Sequence, residues 1–180
     1  MEDNSTNSIW RYNIVSRVLH WILAVLLITL ITLGLYMVSI EKIPGSGWYF
    51  NLHKSLGLVA AALILMRILW RLAHKPAPLP KSIVMWQVNI SRLVHFSLYV
   101  CMVLMPLTGY IGASYSKNGI TFFGLSLPQW ANANHDIAEQ FFEIHEIIAW
   151  ILIALIIFHV LAAFQHLYFK KDGVFRRMWF

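Results

Sequence analysis

Charge is the first thing this sequence lacks: 12% of its 180 residues are Asp, Glu, Lys or Arg, against about 25% in an average soluble domain. With 59% hydrophobic residues in the same chain, a water-facing surface of ordinary polarity cannot be built, and the lipid bilayer becomes the natural solvent. Cysteine is nearly absent. Cys101, inside an apolar run, is the only one; it excludes an internal disulfide and any covalent attachment of a cofactor through C-x-x-C-H. The short-spaced metal patterns H-x-x-x-H and E-x-x-H are missing too, which argues against a zinc or nickel centre. Low-complexity tracts, interdomain linkers and usable repeats are likewise lacking, so residues 1–180 read as one domain.

What is present is apolar length. A membrane-crossing helix needs about 20 mostly apolar residues, and four stretches supply them, at 18–40, 52–72, 88–112 and 142–169. The expected fold is therefore all-α, a bundle of four transmembrane helices joined by short loops. The first run is far longer than a signal-peptide core and no small-residue cleavage site follows it, so the first helix is expected to be retained. Basic residues gather at one end: Arg11, Arg17, Arg67, Arg71, Lys75, Lys81, Arg92, Lys170, Lys171, Arg176 and Arg177, with only Lys42, Lys54 and Lys117 at the other. By the positive-inside rule both termini are cytoplasmic. The formal charge of +6 is thereby assigned to topology and lipid headgroups, without nucleic acid. Trp10, Trp48, Trp70, Trp86 and Trp130 fall near span ends, where interfacial anchors belong. The connection 74–86 holds Pro76, Pro78 and Pro80 and should be extended and stiff. The opposite loop, 114–140, with Gly119, Gly124 and Pro128, should lie along the outer surface as a partial lid, and Pro106 should kink the third helix.

Eight histidines are present, and His20, His53, His95, His145, His159 and His166 fall inside or at the ends of spans. Ionisable residues are costly in lipid and are retained there for function. Their spacing is informative. His145 and His159 are 14 residues apart on one helix, which is about 21 Å of rise and nearly four turns. Two stacked planar cofactors can each take an axial imidazole from such a helix, at two depths. His53 matches His145 at the outer level. For His20, at the inner level, His159 and His166 compete: depth counted from flanking cations favours His166, whereas 21 residues from His145 would spread the cofactors over about 31 Å. The shorter spacing is the more workable one for electron transfer.

Small residues recur with the same period. Gly34 is 14 residues after His20 and Gly109 is 14 after His95, while Gly57, Ala149 and Ala163 each lie one turn after a histidine. Missing side chains at these places would let a flat macrocycle approach, or let helices pack closely. Arg67, 14 residues after His53, is a candidate to hold a haem propionate. Bis-imidazole iron is coordinatively saturated, which suits electron transfer rather than oxygen binding.

The segments SRVLHW in the first span, NLHKSLG opening the second, RLVHFSLY with MPLTGY in the third, and IHEIIAW through FHVLAAFQHLYFKKDGVFRRM in the fourth resemble the prokaryotic cytochrome b561 family. The likeness runs from about residue 15 to the carboxyl terminus. It implies two haems b held non-covalently, the inner by His20 and His159 and the outer by His53 and His145. It also implies electron exchange with ubiquinone, with His166 and Lys81 near the quinone and His95 as a further candidate there. Similar family members oxidise superoxide at the outer face of the bacterial inner membrane and pass the electron inward. An anionic donor would be drawn by a basic entrance, yet the outer end carries Glu41, Asp136, Glu139, Glu143 and Glu146 against Lys42, Lys54 and Lys117; Lys54, beside His53, is the local positive group. Related folds also serve as di-haem anchors that take electrons from a partner subunit of a hydrogenase or dehydrogenase, which is the alternative expectation.

Overall fold

A computed structural model describes residues 11–75 and 83–180. The proline-rich connection and Lys81 lie outside the described residues, as does Trp10. Four long helices make up most of the rest: α1 (Ile14–Ser39), α2 (Gly47–Ala73), α3 (Met85–Tyr115) and α4 (His135–Phe164). All four are long and apolar enough to cross a membrane. Each extends a turn or so beyond the apolar run that predicts it, because capping residues lie outside the apolar stretch. Asn13 caps α1 by accepting the Ser16 N–H at 2.8 Å, and its side chain also receives the Trp70 indole N–H of α2 at 3.2 Å. Asn134 caps α4 through the Ile137 N–H, with Asp136 in the first turn, where a negative charge meets the positive helix end.

Polarity is arranged as lipid requires. Val25, Leu65, Leu93, Phe158 and Leu161 are each more than half exposed, positions that water would punish and acyl chains do not. Inside, Leu23 and Leu30 of α1, Ala60 and Ile64 of α2, Cys101 and Met102 of α3, and Ile148 and Leu152 of α4 form one buried cluster. It occupies the middle of the bundle. Leu152, the most buried large side chain at 1% exposure, stands seven residues from both His145 and His159, so the apolar layer separates the two histidine levels. Contact is closest between α3 and α4 and between α1 and α2. Gly112 permits the former, since a Cβ there would stand 2.8 Å from the Phe142 ring.

The expected bundle is thus the observed one, and α3 runs unbroken through Pro106. The outer loop, expected over 114–140 as a partial lid, has regular structure of its own. It is shorter, because α4 already begins at His135, and it contains a hairpin of β1 (Thr121–Phe122) and β2 (Leu125–Ser126) in which Thr121 faces Ser126 and Phe122 faces Leu125. Phe123 and Gly124 form its two-residue turn with φ of 47° and 90°, the left-handed pair that matches the twist of a tight hairpin. The hairpin is tied to α2. Ser55, 1% exposed, accepts the Phe123 N–H at 2.9 Å and turns its hydroxyl proton toward the carbonyls of Asn51 and Thr121. Lys54 donates to the Gly119 carbonyl at 2.9 Å. The expected local positive group is therefore engaged in holding the lid.

At the opposite end α4 widens into a π-turn, Gln165–Lys170, and a short 3-10 turn, Phe175–Arg177, follows. The tail then docks on the start of α1. Tyr12 N–H donates to the Arg177 carbonyl (3.2 Å), Trp21 Nε1 to Met178 (2.9 Å) and Arg17 to Trp179 (3.0 Å). Arg177 is buried with its guanidinium over the Tyr12 ring, and burial pushes it below the usual arginine range.

Candidate functional site

Five of the six span histidines gather at two levels. At the outer level the His53 and His145 rings face each other with centroids 6.3 Å apart and planes at 77°. At the inner level His20 and His159 stand 6.2 Å apart at 76°. His95 of α3 joins the inner group, 5.3 Å from His159, with its Nδ1 3.3 Å from the Ser91 hydroxyl. His166 belongs to neither pair and lies on the π-turn, where its Nδ1 meets Asp172. His74 ends α2, stacked on Trp70, and His135 opens α4 exposed to solvent.

Those separations have a chemical meaning. A metal–imidazole nitrogen bond is about 2.0 Å, and a ring nitrogen lies roughly 1.1 Å from its ring centre, so two imidazoles sharing one ion have centroids about 6.2 Å apart. Both pairs have this spacing. Among the described residues no three His, Cys, Asp or Glu side chains converge as a bare-ion site would need. Two imidazoles suffice only where a macrocycle provides the other ligands, and that is the arrangement a b-type haem requires.

The outer pair shows how the protein prepares such ligands. His145 Nδ1 donates to the Met105 carbonyl at 2.9 Å and is within 3.2 Å of the Thr108 hydroxyl. This fixes the tautomer and leaves the Nε2 lone pair free, which is the state a metal needs. Thr108 is itself held by the Leu104 and Met105 carbonyls, beside Pro106, where the helix ladder lacks a donor. Two glycines keep the rings accessible: a Cβ on Gly109 would stand 3.0 Å from His145 Cε1, and one on Gly34 would stand 3.4 Å from His53 Cε1. The periodic glycines thus face the outer rings, whereas Gly57 has open space around its Cβ position. His53 Nδ1 is buried without a hydrogen-bond partner, an orphan donor that a propionate or ordered water would satisfy.

At the inner level Arg67 donates to the Ser16 carbonyl at 3.0 Å and comes within 3.3 Å of His20 Nδ1. A guanidinium can only donate, so this contact draws the lone pair of His20 to Nδ1. Ligation of a metal through Nε2 would require the reverse, with the guanidinium on an acceptor other than Nδ1. Arg71, beside Arg67 on α2, donates to the Tyr12 hydroxyl at 3.3 Å. The small cavity bounded by Tyr12, Arg67, Arg71, Tyr99 and Met178 has two guanidinium groups in its wall and room for no more than about one water. Sequence spacing did not reveal the Thr108 and Met105 contacts or Asp172, because they depend on which helices become neighbours; Asp172 was visible only as the one acid within a basic tail.

Comparison with known proteins agrees with this geometry. The family described as prokaryotic cytochrome b561 matches residues 11–180. Cytochrome b561 homolog 2 of Escherichia coli (strain K12) is 30% identical over 181 aligned residues, covering 96% of this chain and 93% of that protein. Cytochrome b561 homolog 1 of the same organism is 28% identical, covering 89% and 92%. A protein of Yersinia pestis named probable superoxide oxidase CybB is 26% identical, covering 93% and 95%. A four-helix membrane bundle with paired imidazoles and this end-to-end match has one reading: the chain belongs to the prokaryotic cytochrome b561 family of b-haem membrane electron-transfer proteins.

Proposed function

We propose that this protein is a di-haem cytochrome of the bacterial inner membrane that carries electrons from superoxide at the outer face to ubiquinone at the cytoplasmic face. The observation that carries it is the pair of imidazole pairs, 6.3 Å and 6.2 Å apart, on opposite sides of an apolar layer. His53 and His145 would hold the outer haem, and His20 and His159 the inner. When bound, each haem supplies a reversible one-electron couple. The protein's part is to fix the rings, exclude water from the span and handle protons and charge at the two ends. Arg67 would neutralise an inner propionate.

Superoxide as donor is supported by the relative named probable superoxide oxidase, and the hairpin held by Ser55 and Lys54 over the His53 end would shape the entrance. Two superoxide anions each lose one electron and leave as dioxygen, and the two electrons with two protons convert one quinone to quinol. His166 at the basic end would serve the quinone, with Lys81 and His95 as the further candidates for that role, since quinone oxygens need a proton donor or a cation as they are reduced. The basic end faces the cytoplasm by the positive-inside rule. Stopped-flow decay of superoxide in the presence of purified protein and ubiquinone tests the reading. It predicts one quinol per two superoxides; superoxide decay at the spontaneous rate with no quinol would overturn it.

A further inference from the structure

His166 is the one span histidine that stands at neither histidine level, and its surroundings are built. The helix widens to a π-turn at Gln165–Lys170, a rare form concentrated at functional positions. The chain then reverses. Lys171 is left-handed (φ 50°) with its N–H on the His166 carbonyl at 2.9 Å, and Gly173 is left-handed as well (φ 80°). The reversal aims Asp172 back at His166. Asp172 Oδ2 lies 2.5 Å from His166 Nδ1, and Oδ1 accepts the Val174 N–H at 3.1 Å. Asp172 is the only acidic side chain among the described residues of this end, amid Arg17, Arg67, Arg71, Lys170, Lys171, Arg176 and Arg177. With so many cations at hand, its carboxylate is directed to a histidine.

We propose that Asp172 is a positioning residue for proton transfer to the quinone, fixing the tautomer of His166 so that Nε2 is the ring atom that meets the quinone oxygen. This rests on the assignment of His166 to the quinone site. An ionised carboxylate only accepts, so Nδ1 carries the proton that faces Asp172 and Nε2 is left to exchange protons. A proton taken from cytoplasmic water onto Nε2 passes to the quinone oxygen: the N–H bond breaks, its electron pair stays on nitrogen, and the O–H bond forms. The electrons come from the outer-face donor, two per quinone, with the second proton taken from water. The π-turn and the Asp172 turn together hold the ring, and the docked tail from Phe175 onward anchors the turn to α1.

Asp172→Asn separates this role from a structural one. An amide has one acceptor where the carboxylate has two; Oδ1 can still receive the Val174 N–H, which leaves Nδ2, a donor, against His166 Nδ1. The turn is kept and the tautomer is reversed. Nitrogen-15 NMR of histidine-labelled protein should show His166 protonated on Nδ1 in the wild type and on Nε2 in D172N, with Asp172→Glu restoring the wild-type form. His166→Ala should lower kcat for quinone reduction by about a hundredfold, and D172N by about tenfold or more, with KM little changed. In the H166A background D172N should cause no further loss. Equal slowing by D172N in both backgrounds, an unchanged D172N rate, or an unchanged tautomer would overturn the proposal. A wild-type rate in H166A alone would instead overturn the quinone assignment itself, and the role of Asp172 with it.

Discussion

A methyl group at Gly109 should disable the outer cofactor site while the same change at Gly34 should not. An alanine Cβ at position 109 would stand 3.0 Å from His145 Cε1 and 3.1 Å from Nδ1, about 0.5 Å inside the ordinary carbon contact distance of 3.5–4.0 Å. The ring has little room to yield, because Nδ1 is already bonded to the Met105 carbonyl and neighboured by Thr108. Overpacking of this kind costs about 1–3 kcal/mol, and alanine returns about 1 kcal/mol through helix propensity. The bundle should therefore still fold. The imidazole, however, moves by about as much as a ligand site tolerates, near 0.5 Å. At Gly34 the corresponding distance is 3.4 Å to His53 Cε1, an ordinary contact. Haem content of the purified variants, measured by pyridine haemochrome against protein concentration, should fall from two toward one per chain in Gly109→Ala and stay at two in Gly34→Ala. If both variants keep the full complement and the wild-type reduced-minus-oxidised spectrum, the reading of these glycines as ring clearance is refuted.

Ser55→Ala should loosen the outer hairpin: it removes the acceptor of the Phe123 N–H, a hydrogen bond worth about 0.5–1.5 kcal/mol, and should raise hydrogen exchange in 119–127 without changing haem content. Unchanged exchange there would show that the hairpin is held by other contacts. Arg67→Met should lower the midpoint potential of the inner haem and leave the outer one unaltered, because a nearby positive charge favours the reduced form; redox titration followed at the α-band distinguishes the two, and an unmoved inner potential would remove Arg67 from the haem environment.

The bundle was legible because lipid imposes a coarse demand, about 20 apolar residues per crossing, and four runs satisfy it at nearly the observed bounds. The pairing of His20 with His159 side by side, and of His53 with His145, follows from one helix carrying two histidines 14 residues apart. Depth counting could not separate His159 from His166. In the fold His166 is carried away from the paired rings on a π-turn, a change of helical pitch that no sequence period announces. The hairpin at 121–126 escaped notice because its turn uses Phe123 at positive φ instead of the usual Asn or Asp. Lys54 looked like a free cation beside His53, and its bond to Gly119 appears only once the loop folds back over α2. Gly34 and Gly109 were recognisable by period, but which rings they face depends on helix rotation, which the neighbouring helices set.

The central claim, two imidazole pairs each holding one b-type haem, is tested most directly by haem stoichiometry in the intact protein and in two ligand variants. Wild-type protein should contain two haems b per chain, with a b-type α-band in the dithionite-reduced minus oxidised spectrum, and His145→Ala and His20→Ala should each retain one. Retention of two haems in either variant, or absence of a b-type band from the wild type, would contradict the account.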